Sequence, residues 1–126
     1  MDAFVYGTLR EPDRARKVVG HADFGPDARL IGLRRVEARY PTLAPGCGTD
    51  GRVLRLRDGD LEAIDAYEGV GQGLYVRVRV PDGDGGLWTY VGDPAALDAE
   101  VAWPGDGSFR TRVERYVDRH DVRVER

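Results

Sequence analysis

The sequence predicts an α+β domain built on a small mixed sheet of five to six strands, able to close as a barrel and flanked by helices. Three observations carry that prediction. Leu74 to Val80 alternates apolar and polar residues strictly, with Leu74, Val76, Val78 and Val80 on one face and Tyr75, Arg77 and Arg79 on the other. Several shorter β-prone runs precede and follow it. Between them lie short helical stretches with recognisable ends, at residues 12–19, at 60–68 and after Ser108.

Taken in order, residues 2–6 form a short strand, and Gly7 to Arg10 a turn or loop. Pro12 opens a helix over 12–19 that Gly20 ends. Ala28 to Arg39 predicts one long bent strand or two short ones, with Gly32 permitting a bulge. Tyr40-Pro41-Thr42-Leu43 leads into a glycine-rich loop, Ala44 to Asp50, and residues 51–57 form a further strand. Asp58-Gly59-Asp60 opens the next helix, an Asp oxygen capping its first N–H groups, and Gly69 closes it. Residues 82–86 are a hairpin connection to a returning strand at Leu87 to Val91, and a helical turn fits within 93–102. Ser108 caps a last helix whose stripe is Phe109, Val113, Tyr116 and Val117. The tail from Asp121 is an edge strand or is disordered. Neither an internal repeat nor a linker interrupts this, so one domain over 1–126 is expected.

Composition removes several function classes. A net charge of −3 gives no basic footprint, so no nucleic-acid partner is expected. No apolar run approaches the roughly 20 residues of a membrane span, and the first residues do not resemble a signal peptide. With Cys47 as the lone cysteine, no internal disulfide framework exists, and the cytoplasm is the expected compartment. Ser108 is the only serine and lacks a nucleophile-elbow context. His21 and His120, with Cys47, do not have zinc-site spacing. Phosphate-loop and dinucleotide-binding signatures are missing too, so neither metal nor cofactor is expected. Lys17 sits among charges, a poor place for a Schiff base.

The most informative segment is Asp60 to Gly69. At about 100° per residue, with Leu61 at zero, Ile64 falls near −60° and Glu68 near −20°. Glu68 therefore lies in the apolar stripe, while Glu62 points away. An inward carboxylate must be paired, hydrogen-bonded or protonated, and desolvation raises its pKa toward the range useful for proton transfer near neutrality. The structural alternatives are fraying into solvent or an ion pair with Arg77 or Arg79. A second candidate element is Tyr6-Gly7-Thr8-Leu9, directly after the first strand. Its glycine lets successive N–H groups converge on an anion or oxyanion, and Thr8 adds a hydroxyl; an ordinary turn is the alternative.

Together, Val5-Tyr-Gly-Thr-Leu-Arg10, Tyr40-Pro-Thr-Leu43, Asp65-Ala-Tyr-Glu-Gly69 and Leu74-Tyr-Val-Arg77 resemble, in order and spacing, the gamma-glutamylcyclotransferase-like (avirulence-induced-protein-like) family. The resemblance spans roughly residues 3–92. It implies a small mixed β-barrel with flanking helices, and an enzyme that cyclises a gamma-glutamyl group to 5-oxoproline with release of an amine or amino acid. It implies Glu68 as the catalytic acid/base, Tyr6, Gly7, Thr8 and Leu9 as the substrate loop, and Tyr75 and Tyr90 as pocket lining. Tyr-Gly-Thr-Leu in place of the Tyr-Gly-Ser type leans toward the branch acting on gamma-glutamylamines. The implied partner is a small gamma-glutamyl substrate, with no nucleic acid and no membrane, and the chain is a monomer or weak homodimer.

Two other readings fit the same residues: a non-catalytic module binding a small anionic metabolite, and an amidohydrolase or lyase acting on an amino-acid-like substrate. The remaining features are blander. Cys47, between glycines, is read as a small loop residue. Asp65 and Glu68 at i and i+3 sit too close for glycoside chemistry, and Asp65 is read as half-exposed. Asp82-Gly-Asp-Gly is a turn rather than a calcium loop. The arginines and acids of the last helix form a solvated face. Trp88 and Trp103 belong to the core or a pocket wall.

Overall fold

The computed structural model describes residues 1–83 and 85–126. Six strands form one sheet: β1 (Asp2–Val5), β2 (Phe24–Val36), β3 (Thr42–Arg55), β4 (Tyr75–Asp82), β5 (Gly85–Gly92) and β6 (Arg123–Glu125), in the order β4-β5-β1-β3-β2-β6. The helices are α1 (Pro12–Val19), α2 (Asp60–Glu68), α3 (Pro94–Leu97) and α4 (Phe109–Arg119), with single 3-10 turns at Thr8–Arg10 and Val70–Gln72. The sheet is mixed: β1 runs parallel to β5, and the other pairs are antiparallel. It curls until its edge strands approach, and Arg126 beyond β6 reaches Asp82 of β4 at 2.6 Å and Asp2 of β1 at 2.9 Å. None of the helices formed by the described residues is long and apolar enough to cross a membrane.

The period of two sorts the side chains onto two faces. Phe4, Leu30, Val53, Val78, Val80, Leu87 and Val91 fill the inside of the curl, closed by Trp103, Val113 and Val117 from the C-terminal segment. Ala3, Val5, Leu54, Tyr75 and Tyr90 face the other way and meet Leu9, Ile64 and Leu97 from the 3-10 turn, α2 and α3. Strand β1 lies in the middle of the sheet, so its C-terminal end delivers the following loop to the centre of this second layer. Buried Thr42 fastens the same region, its Oγ1 accepting the Gly92 N–H at 2.7 Å. Thr42→Val leaves that buried N–H unpartnered, and urea denaturation should show a loss of about 1–3 kcal/mol.

Several sequence expectations need correction. The glycine-rich stretch 44–50 is strand, not loop: β3 pairs with β2 from Thr42 to Leu54, with two shifts in register, one between Phe24 and Asp27 and one between Ile31 and Leu33, where Gly32 (φ +94°) makes the expected bulge. Its glycines serve packing rather than turning. A Cβ on Gly46 would lie 2.6 Å from the Arg34 side chain, and one on Gly48 2.9 Å from that of Arg29. The β2 arginines lie across β3 where these positions carry no side chain. Strand β2 also begins earlier than expected, at Phe24, and ends at Val36. At α2 the cap is Gly59, with no side-chain cap. Asp60 instead lies buried, accepting the Arg57 N–H at 2.7 Å and meeting His21 Nε2 at 2.7 Å. Trp103 is core, whereas half-buried Trp88 belongs to neither core nor cleft. It packs under the guanidinium groups of Arg77 and Arg79, at 4.8 and 5.7 Å. The hairpin and calcium-like reading at 82–86 includes Asp84, which lies outside the described residues. The caps of α1 and α4 are as read, with Pro12 first, Gly20 last and Ser108 Oγ accepting from the Thr111 N–H at 3.2 Å. The tail is an edge strand, β6.

Candidate active site

A cleft of about 430 Å³ opens where β1 ends against α2. Every residue singled out from the sequence borders it: Tyr6, Gly7, Thr8 and Leu9 from the loop after β1, Glu68 from the last turn of α2, and Tyr75 and Tyr90 from β4 and β5. The loop is held in a 3-10 turn whose first hydrogen bond runs from the Arg10 N–H to the Gly7 carbonyl, at 3.1 Å. The N–H groups of Gly7, Thr8 and Leu9 precede that bond and have no partner within the turn. A Cβ on Gly7 would meet nothing within 4 Å, so the backbone here stands open to the cleft. The Tyr6 carbonyl is held from behind by Arg35 Nη1, at 2.7 Å.

Glu68 reaches the cleft because α2 buries Ile64 completely against the sheet and stops directly after Glu68, at Gly69. Gly69 has φ +72°, and a Cβ there would meet Leu74 Cδ1 at 2.8 Å, so this stop requires glycine. The alternatives left open by the sequence resolve against ion pairing. Arg77 binds Asp65 at 3.0 Å instead, and Tyr90 donates to the other Asp65 oxygen at 2.7 Å. Asp65 is thus a structural anchor one turn before Glu68. Burial alone pushes the Glu68 pKa up to about 7, with neither hydrogen bond nor ion pair to it among the described residues.

The tyrosines present rings to the cleft and spend their hydroxyls elsewhere. Tyr6 donates to the Tyr90 carbonyl at 2.6 Å, and Tyr75 to the Pro41 carbonyl at 2.5 Å. Burial raises the Tyr6 pKa, and the phenol of Tyr75 and the charge of Glu68 add to it. Burial raises Tyr75 as well, followed by the Glu68 charge. Burial and the hydrogen bond to Asp65 raise Tyr90. All three are neutral near pH 7, so Glu68 is the group in this layer poised to exchange a proton there.

Sequence reasoning missed Arg14, Tyr40, Pro41, Tyr67 and Leu74 as cleft residues. Tyr67 was within reach, since it precedes Glu68 in the quoted motif; its hydroxyl meets Thr8 Oγ1 at 2.7 Å and so joins the two walls. Arg14 carries no local signal, because only the packing of α1 against α2 brings it there.

The raised pKa has a stability consequence. Between the ordinary value of 4.5 and about 7 the folded chain holds a proton on Glu68 that the unfolded chain has released. Stability therefore falls as pH rises through that window. Glu68→Gln lacks this loss and should be more stable than the parent above pH 7 by roughly 1–3 kcal/mol, the gap closing below pH 4.5. Denaturant titrations at pH 4, 6 and 8 check it.

The family described as gamma-glutamyl cyclotransferase, AIG2-like, matches residues 3–110. The chain belongs to this family. Among solved structures, a gamma-glutamyl cyclotransferase shares the fold with a TM-score of 0.61 at 21% identity, over 74% of this chain and 66% of its own. An uncharacterized protein from Pyrococcus horikoshii does so at 0.62 and 21% identity, over 95% of this chain and 99% of its own. An Arabidopsis thaliana protein reaches 0.59 at 26% identity, over 94% of this chain and 78% of its own. The chain spans 66% of the length of the gamma-glutamyl cyclotransferase and of a human relative. No curated protein shows significant sequence similarity to it. The observed sheet and flanking helices agree with the gamma-glutamyl cyclotransferase-like fold expected from the sequence.

Proposed function

We propose that the chain is a cyclotransferase converting a gamma-glutamyl amide to 5-oxoproline and a free amine, with Glu68 as general acid/base. One observation carries this reading: a carboxyl group without hydrogen bond or ion pair among the described residues, its pKa raised to about 7 by burial, borders the same cleft as a loop whose Gly7, Thr8 and Leu9 N–H groups have no partner within their turn. Membership of the family supports it.

The steps balance without any further reactant. Ionised Glu68 takes a proton from the substrate's α-ammonium group. The freed nitrogen attacks the γ-carbonyl carbon of the same molecule, forming the ring C–N bond, a reaction favoured by proximity. The tetrahedral oxyanion accepts from the N–H groups of Gly7, Thr8 and Leu9. Glu68 passes its proton to the leaving nitrogen as the old amide bond breaks. The restored carboxylate then takes the surplus proton from the ring nitrogen and hands it to the released amine, which departs as an ammonium ion and leaves Glu68 ionised. A pKa of about 7 suits both halves of this exchange.

The test is a panel of gamma-glutamyl amides and gamma-glutamyl dipeptides, with mass-spectrometric detection of products. The expected result is 5-oxoproline in equal amount to the released amine. Free glutamate would instead identify hydrolysis, and saturable binding without turnover a binding module.

A further inference from the structure

The cleft carries one cation among the described residues, Arg14 of α1, and that residue plays no part in the steps above. Its placement follows from helix packing. Ala15 is completely buried where α1 meets the second layer, which sets the neighbouring Arg14 at the cleft's exposed rim. Its guanidinium lies 6.0 Å from the Tyr67 ring centroid, and the Tyr67 hydroxyl is tied to Thr8, so the group has a platform. No carboxylate of the described residues lies within ion-pair distance of Arg14, although nearby Arg16 takes Asp13 and Arg77 takes Asp65. Among the described residues the only acid bordering the cleft is Glu68, which has no hydrogen-bond or ion-pair partner among them. The other exposed rim side chains, Thr8, Tyr40 and Tyr67, are uncharged.

We infer that Arg14 is a specificity-determining residue that binds a carboxylate carried by the leaving amine, so that the substrate class is a gamma-glutamyl amino acid. This rests on the cyclisation reading. With the γ-carbonyl between Glu68 and the loop, the glutamyl part occupies the buried end and the leaving part extends toward the rim. A carboxylate there meets a planar guanidinium able to bind it through two N–H groups. A leaving amine with a second positive charge meets that same guanidinium and no rim acid. The inference thus runs against the lean toward gamma-glutamylamines drawn from Tyr-Gly-Thr-Leu.

The test compares gamma-glutamyl-alanine with gamma-glutamyl-ethylamide, which differ by that one carboxylate and share the α-carboxylate of the glutamyl part. In the parent protein, kcat/KM should favour gamma-glutamyl-alanine by about tenfold or more. In Arg14→Gln the ratio should fall to near one, and Arg14→Lys should restore part of it. Equal kcat/KM for the two compounds in the parent would overturn the inference, and so would an unchanged ratio in Arg14→Gln. A loss shared equally by both compounds would place Arg14 on the α-carboxylate and overturn it too. Turnover of neither compound would count against the cyclisation reading. Calorimetric binding of the same two compounds to parent and Arg14→Gln then decides the inference separately. A Kd difference of about tenfold that vanishes in the variant upholds it, and equal or undetectable binding overturns it.

Discussion

Glu68→Gln should lower kcat for 5-oxoproline formation by about 10²- to 10⁴-fold, the range general acid–base catalysis contributes. Glutamine keeps the shape of the side chain and removes its capacity to accept a proton. The cleft walls do not depend on the charge: Tyr75 is anchored on the Pro41 carbonyl, Tyr90 on Asp65 and Tyr67 on Thr8. Far-UV circular dichroism should therefore be unaltered, and stability at pH 8 raised. In the parent, kcat/KM should climb with pH and level off above about 7, because only ionised Glu68 can take the proton. Whatever residual activity Glu68→Gln retains should lack that step. Unaltered kcat in the variant would remove Glu68 from the mechanism.

Gly51→Ala should be the most damaging single methyl addition near the site. A Cβ there would stand 2.5 Å from the Val5 carbonyl oxygen and 2.5 Å from Phe4 Cζ. The phenyl ring is packed in the core, and the carbonyl belongs to the central strand, so neither yields cheaply. A loss of about 2–4 kcal/mol in chemical denaturation is expected. The strand that must move is β1, which aims the Tyr6–Leu9 loop, so the folded fraction should also show a raised KM. A variant with parental stability and kinetics would mean that β1 and β3 separate more freely than the packing indicates.

Much of this architecture was legible because local and tertiary demands agree. The period of two matches β4 from Tyr75 onward, with Val76, Val78 and Val80 in the curl of the sheet, whereas Leu74 precedes the strand and packs in the second layer. The Pro12 and Gly20 signals match α1 because backbone chemistry alone decides those ends. Glu68 could be found from rotation angles because Ile64 fixes which side of α2 is buried. What escaped depends on partners distant in sequence. The Ala44–Asp50 glycines look like a loop until Arg34 and Arg29 of β2 lie across them. Asp60 looks like a cap until His21 stands beside it, and Asp65 is half-exposed as read, but its anchoring by Arg77 and Tyr90 shows only once β4 and β5 lie beside α2. Arg14 is one exposed arginine among many, and only the approach of α1 to α2 gives it a place at the cleft.

The central claim is that a half-buried Glu68 exchanges the proton for ring closure, and two titrations of one sample test it most directly. ¹³C NMR of glutamate-labelled protein, with Glu68→Gln to assign the signal, gives the Glu68 pKa. The pH dependence of kcat/KM for 5-oxoproline formation gives the pKa that activity needs. The account predicts one shared value of about 7. A Glu68 signal titrating near its ordinary 4.5, or a rate profile without a break where Glu68 titrates, would contradict it.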